Sequence, residues 1–364
     1  MTIRRKLLSF GSRSTDVRLG YGALDELAKF FSGAVGKPCR AFLLSSSSVE
    51  GEVLLKVRRA LVDAGFRVSE AAVEDSAALR VDSAVSLYAD LAVSGITGED
   101  LIVGVGGHEA CSLASYVSRT WRGGVSCSLV PVTLDAMMSC ATQMTPLAVE
   151  GDDAAVSIAP EVSLVVCELD LVSGRGVDEN GWGYVLMCAA HLSESRACWD
   201  GFGATVQGVV DGSEASVIEA LSTTLTARLN IAKSVSPSAR RATLFGQTTA
   251  RALASCWSGD LPPRYLLLAE GMRFEARLAI DVCDFSVDEV FALDDHLEDL
   301  GVGGLSFDID VDTFIEALRA ERFRRANRFQ LALPKYPGVI RLSSVEDEVL
   351  ERHARAFLAS RKPD

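Results

Sequence analysis

The sequence predicts two domains in series: an α/β domain with a mainly parallel sheet over residues 1–175, then a mainly helical domain over residues 176–364. Three observations carry that expectation. Short apolar runs alternate with amphipathic stretches of helical length from Ala41 onward, a glycine turn closes the most apolar of those runs, and after Asp170 the apolar spacing changes to a helical period with few strand signals.

Taken in order, Ala41–Leu44 reads as a strand, Val53–Ala64 as a helix, Phe66–Val73 as a strand, Val81–Val93 as a helix and Leu101–Val105 as a strand. Gly104-Val105-Gly106-Gly107 then leads into a helix over Glu109–Arg119. A glycine turn at a strand-to-helix junction either admits a pyrophosphate at the helix N-terminus or simply packs the helix tightly on the sheet, and the spacing leaves both readings open. In the second half, helices are expected over Gly183–Ser193, Ser213–Ala232, Gln247–Ser258, Arg264–Asp281, Val287–Leu300 and Val311–Arg319. An apolar segment, Phe329–Leu333, precedes Pro334, and Val345–Ser360 has the pattern of a terminal amphipathic helix. The domain boundary rests on the change of period and on the Gly/Asp/Asn-rich run Gly174–Gly183.

With 364 residues and 48% hydrophobic content, the chain is long enough for two cores. No apolar run reaches the roughly 20 residues that a membrane span needs. Arg4, Arg5 and Lys6 are followed by an apolar run that ends at Gly11, too short for a secretory leader. A cytoplasmic protein without a membrane role is therefore expected. A formal net charge of -13 with no basic stripe excludes nucleic acid as a partner. The nine cysteines form no CxxC pair and read as reduced thiols, mostly buried.

Several segments stand in an order that resembles dehydroquinate synthase and the wider sugar phosphate cyclase family along nearly the whole chain. They are Leu101–His108 (LIVGVGGH), Thr120-Trp-Arg-Gly-Gly, Pro131-Val-Thr-Leu-Asp-Ala-Met, Thr243-Leu-Phe-Gly-Gln-Thr and Ala269-Glu-Gly-Met. The resemblance implies a Rossmann-like N-terminal domain, a helical C-terminal domain, an active-site cleft between them and a homodimer. It also implies NAD and a divalent metal, usually zinc, held by one Glu and two His. At those three positions this sequence has Tyr184, Gln247 and Arg264, and Met187 stands where the family has a catalytic lysine. Tyr, Gln and Arg make no zinc ligand set, so no zinc is expected. Arg251 and Ala254 replace a further His and Glu of the family pattern.

On the cofactor side, Ala110-Cys111, Ser139 and Gln143-Met-Thr-Pro replace the family's Gly-Asp, Asp and Gly-Gly-Lys-Thr, and Ser45–Ser48 replace an early acidic position. Gly106, Gly107 and Thr133 remain, too few to hold NAD, so no cofactor is expected. Arg122 and Arg240 match anion-binding arginines of the family, and Glu321-Arg322-Phe323 keeps one cation, Arg322, of its Asp-Lys-Lys. Together with Gln247, Arg251 and Arg264 these form the expected binding set for a small anionic metabolite, carboxylate or phosphate. The arginines could equally be paired internally with Glu270 or Glu275.

For chemistry, the candidates are His108 with Glu109 beside it, and Tyr184. His108 is either a base poised near neutrality at a helix N-terminus or a residue that simply starts the helix. Cys111 and Cys140 are nucleophiles only if exposed to a base, and inert otherwise. Two functions follow: a repurposed, metal-independent lyase or cyclase of a specialised biosynthetic pathway, or a silent homologue that binds a metabolite or supports a partner enzyme.

Overall fold

The computed structural model describes residues 3–150, 152–321 and 328–363. The chain divides into two compact units, Met1–Ser173 and Gly174–Asp364.

The first unit runs β1 (Arg4–Ser9), β2 (Ser14–Gly20), α1 (Leu27–Ser32), β3 (Arg40–Ser46), α2 (Gly51–Asp63), β4 (Arg67–Val73), α3 (Asp75–Ala78) and α4 (Val81–Val93). It continues through β5 (Leu101–Gly106), α5 (His108–Thr120), β6 (Ser126–Pro131), α6 (Leu134–Ser139), β7 (Thr145–Val149), β8 (Asp152–Ile158) and β9 (Leu164–Glu168). A seven-stranded sheet has the order β1-β2-β9-β6-β5-β3-β4. All its neighbours are parallel except β1 against β2. Every residue of β5 is buried, as expected for a strand covered on both faces.

On one face, Leu43, Val103, Val105 and Val166 meet Leu27, Phe31, Val57 and Leu61 of α1 and α2. Val53, Val57, Ala60 and Leu61 lie on one side of α2 because apolar residues there recur at helical spacing. On the other face Gly104 admits α5. A Cβ at that position would lie 2.5 Å from the Ala114 Cβ and 2.8 Å from Leu129.

The expected parallel α/β architecture is present, with additions. The basic run Arg4-Arg5-Lys6 starts β1, an edge strand whose charged side chains suit an unpaired sheet edge. A second hairpin, β7–β8, follows α6.

The second unit comprises α7 (Val177–Glu194), α8 (Arg196–Val210), α9 (Glu214–Lys233), α10 (Gln247–Cys256), α11 (Arg264–Cys283), α12 (Val287–Asp299) and α13 (Val311–Ala320), then β10 (Leu331–Tyr336), β11 (Val339–Ser343) and α14 (Asp347–Ala359). Here α7 begins at Val177, inside the run read as a boundary loop. Gly181 is required within that helix because the Tyr265 ring lies 2.7 Å from where its Cβ would be.

No helix was expected at α8, whose sequence holds three glycines. Its buried Trp199, Phe202, Val206 and Val209 give it an apolar stripe that outweighs their propensity cost. The apolar segment before Pro334 pairs with β11 as a hairpin. A ring cluster centred on Phe274, with Phe357 at 5.2 Å and Phe314 at 5.6 Å between centroids, fills the core beneath α11. Among the described residues no helix is long and apolar enough to cross a membrane.

Candidate functional site

In the first unit the glycine turn joins β5 to α5, and the helix begins at His108 with Gly107 as its N-cap. Gly106 has a φ of 153°, and a Cβ there would lie 2.9 Å from both Ser46 and Ala110, so only glycine fits. His108 does more than start a helix. The Ser139 hydroxyl gives its one proton to the Asp135 carbonyl at 2.7 Å, so at 2.9 Å it accepts from His108 Nδ1. The neutral ring therefore carries its lone pair on Nε2, which faces the Ser112 hydroxyl at 3.4 Å.

Glu109 and Thr133 close over Gly107. A carboxylate oxygen of Glu109 lies 3.6 Å, and the Thr133 hydroxyl 3.8 Å, from its Cβ position. The Thr133 hydroxyl is buried without a hydrogen-bond partner.

At the neighbouring end of β3 the serine run gathers an acid that the sequence reading missed. Ser48 donates to Asp75 at 2.7 Å and its hydroxyl lies 2.7 Å from that of Ser46. The second carboxylate oxygen of Asp75 is buried without a partner. Parallel pairing of β3 with β4 carries Asp75 there, 27 residues on from Ser48, a juxtaposition invisible to local pattern.

The remaining candidates of this unit are engaged structurally. Arg122 has a φ of 47°, donates Nε to the Ile96 carbonyl at 3.1 Å and lies over the Trp121 ring. Burial pushes the Cys111 and Cys140 thiols well above the ordinary range, which holds them protonated and removes them as nucleophiles.

In the second unit the three positions that the resemblance assigns to metal ligands fall on the N-terminal parts of α7, α10 and α11. Tyr184 is 1% exposed. Its hydroxyl donates to the Arg175 carbonyl at 3.0 Å and accepts from Asn180 at 3.3 Å, and burial raises its pKa. It is a strut across the first turns of α7 rather than an accessible acid. Met187 is fully buried.

Gln247 begins α10 and donates to the Thr243 carbonyl at 3.0 Å. Arg264 begins α11, exposed, with its guanidinium 4.9 Å from the centre of the Trp182 ring. The helices are held close by glycines. Gly246 has a φ of 77°, and a Cβ on Gly271 would collide with the Gly246 carbonyl.

Among the described residues neither Glu270 nor Glu275 forms an ion pair with a candidate arginine, although Arg251 acts on Glu275 electrostatically. Glu270 binds Arg273 at 2.9 Å and Arg361 at 2.7 Å. Glu275 accepts from the amides of Gly246 and Thr249 and from the Thr249 hydroxyl, capping α10 from the neighbouring helix. Burial pushes it up to about 7 against those hydrogen bonds. Arg251 instead binds Glu321 at 2.6 Å. Arg240 is exposed and among the described residues reaches only the Ser234 carbonyl at 3.4 Å. Arg322 lies outside the described residues.

The histidines, scattered in sequence, are not all apart in space. His191 stacks on Phe202 at 4.2 Å, and His296 meets the same ring at 5.4 Å.

No family model matches the chain. A 3-dehydroquinate synthase of Thermobifida fusca is 34% identical over 175 residues, covering 47% of this chain and 46% of that protein. The match thus spans about half the length of that relative. A 3-dehydroquinate synthase of Caulobacter vibrioides is 24% identical over 287 residues, 76% of this chain and 78% of that protein. The crystal structure of a 2-deoxy-scyllo-inosose synthase complexed with carbaglucose-6-phosphate, NAD+ and Co2+ superposes with a TM-score of 0.83 at 14% identity, covering 97% of this chain and all of that one. The chain has the dehydroquinate synthase-like fold.

The residues that hold a metal and a dinucleotide in the resemblance are only partly present in this chain. Tyr184, Gln247 and Arg264 supply a committed hydroxyl, an amide and a cation, which do not fit a zinc ion. A dinucleotide fits at one end only. Asp75 offers a carboxylate oxygen of the kind that holds a ribose hydroxyl, while Glu109 sets a negative charge at the helix N-terminus where a pyrophosphate would sit.

Proposed function

We propose that this dehydroquinate synthase-like protein has given up zinc- and NAD-dependent chemistry and recognises a small anionic metabolite, carboxylate or phosphate, at the N-terminal end of α11. The observation that carries this reading is Arg264, an exposed cation over the Trp182 ring at a position where the resemblance places a metal-binding histidine. An arginine there supplies one positive charge in place of a dication's two, without its Lewis-acid role, and it matches oxyanions bidentately.

Calorimetry with a panel of sugar phosphates and sugar acids tests it, beside metal analysis of the purified chain. The expected result is saturable binding of an anion, weakened at least tenfold by Arg264→Ala, with no stoichiometric zinc. Stoichiometric zinc whose removal abolishes ligand binding would overturn the reading, as would binding indifferent to Arg264→Ala.

A second reading, a metal-independent lyase, is supported by the fixed tautomer of His108, whose Nε2 lone pair suits a general base. It expects turnover to disappear in His108→Ala while ligand affinity is kept.

A further inference from the structure

Helix α8 is fastened to its neighbours at two points. At its start, Arg196 and the Trp199 indole both donate to the Glu289 carboxylate of α12. In its middle, the Phe202 ring lies against two imidazoles: His191 of α7 stacks on it at 4.2 Å, and His296 of α12 stands at right angles to it at 5.4 Å. The His296 ring also crosses Trp199 at 4.7 Å and presses on the helix at Gly203, where a Cβ would lie 3.0 Å from its Cε1. Gly201, Gly203 and Gly208 lower the helix propensity of α8, so it is held by this docking rather than by its own sequence.

Both imidazoles are placed for the neutral form. Nδ1 of His296 is buried with no hydrogen-bond partner among the described residues. In the cation both ring nitrogens carry hydrogen, so that atom would become a buried donor without an acceptor. His191 already donates Nδ1–H to the Met187 carbonyl at 2.9 Å. Burial lowers both pKa values, that of His191 to about 4, and outweighs the carboxylates that favour the charged rings: Glu219 of α9 at His191, and Asp299, Asp295 and Glu289 of α12 at His296. The two rings also repel as cations, which adds to the lowering at His191.

We propose that α8 is an acid-released element: protonation of His191 and His296 undocks it from α7 and α12 and bares its apolar stripe of Trp199, Phe202, Val206 and Val209. Each proton binds the undocked state more tightly than the docked one. With a docked value of about 4 and an undocked value of 6.5, His191 alone raises the undocked population about thirtyfold between pH 7.5 and pH 5. None of these residues belongs to the reading built on Arg264, so either proposal can fail alone.

The test is hydrogen-exchange mass spectrometry on the full chain at pH 7.5 and pH 5, with intrinsic exchange rates divided out. Protection of the peptide covering residues 196–210 should fall about tenfold or more at pH 5, and that of β5 by less than about threefold. In the double variant His191→Gln, His296→Gln, protection of α8 should be equal at the two pH values. If circular dichroism shows that variant unfolded, His191→Gln takes its place, with most of the acid-dependent loss expected to disappear. The proposal is overturned if α8 keeps its protection at pH 5, if β5 loses as much, or if the variant loses protection as the wild type does.

Discussion

Ser139 decides which nitrogen of His108 carries the proton. Its own hydrogen is spent on a carbonyl of its helix, which leaves the oxygen as an acceptor for Nδ1. In Ser139→Ala, nitrogen-resolved NMR of His108 should show the Nδ1-protonated tautomer giving way to a mixture; an unchanged spectrum would remove Ser139 from that role. His191 makes a second residue-scale prediction. Burial lowers its pKa from 6.5 to about 4, against a hydrogen bond to the Met187 carbonyl. Because the folded value lies below the unfolded one, the stability contributed by the neutral ring is complete above pH 6.5 and is lost as pH falls toward 4. Glu275 runs the other way, from 4.5 up to about 7, so its contribution is present below pH 4.5 and lost as pH rises through 7. Denaturant titrations of wild type and His191→Gln should therefore converge between pH 7 and pH 4. A constant gap would show that His191 is not the group responsible. Tyr184→Phe removes a buried bridge and should cost about 1 kcal/mol, read as a lower Tm.

Helices α10 and α11 cross at two glycines, and that crossing sets where Gln247 and Arg264 stand. Gly271→Ala should destabilise by about 1–3 kcal/mol or more, since the clash is with the backbone carbonyl of Gly246 rather than a movable side chain. A denaturation midpoint equal to wild type would contradict that packing. Elements with strong apolar period were legible in the sequence: α2, α4, β5 and α11 stand close to where the pattern put them. The elements it missed share a physical cause. In β1 the charged edge hides the alternation, in α8 three glycines mask a good apolar stripe, and at Gly181 a residue that usually ends a helix is kept inside one for the sake of a neighbouring ring. The candidate site was legible only as residue types. That Glu270 and Glu275 are taken by other groups, that Asp75 joins Ser48, and that Tyr184 is a strut all depend on tertiary neighbours, which no local spacing encodes.

Across the whole molecule the fold matches that of the sugar phosphate cyclase structures, while Tyr184, Gln247 and Arg264 stand at the positions the resemblance assigns to metal ligands; a fold and its site are separable. The net charge of -13 gives a prediction at this scale. Many of the ion pairs are exposed and individually weak, so screening relieves more repulsion than attraction. Moving from low salt to about 0.5 M sodium chloride should raise the Tm; a fall would mean that the pairs dominate. The strut at Tyr184 also bears on any attempt to run history backwards. Tyr184→Glu, Gln247→His and Arg264→His together restore the donor types of a zinc centre on paper. Yet a carboxylate at 184 would face the Arg175 carbonyl that now receives the tyrosine proton, oxygen against oxygen. The first turns of α7 would have to be rebuilt before a carboxylate at 184 could serve as a ligand, so a zinc centre at these three positions is opposed by a hydrogen bond as well as by the residue types.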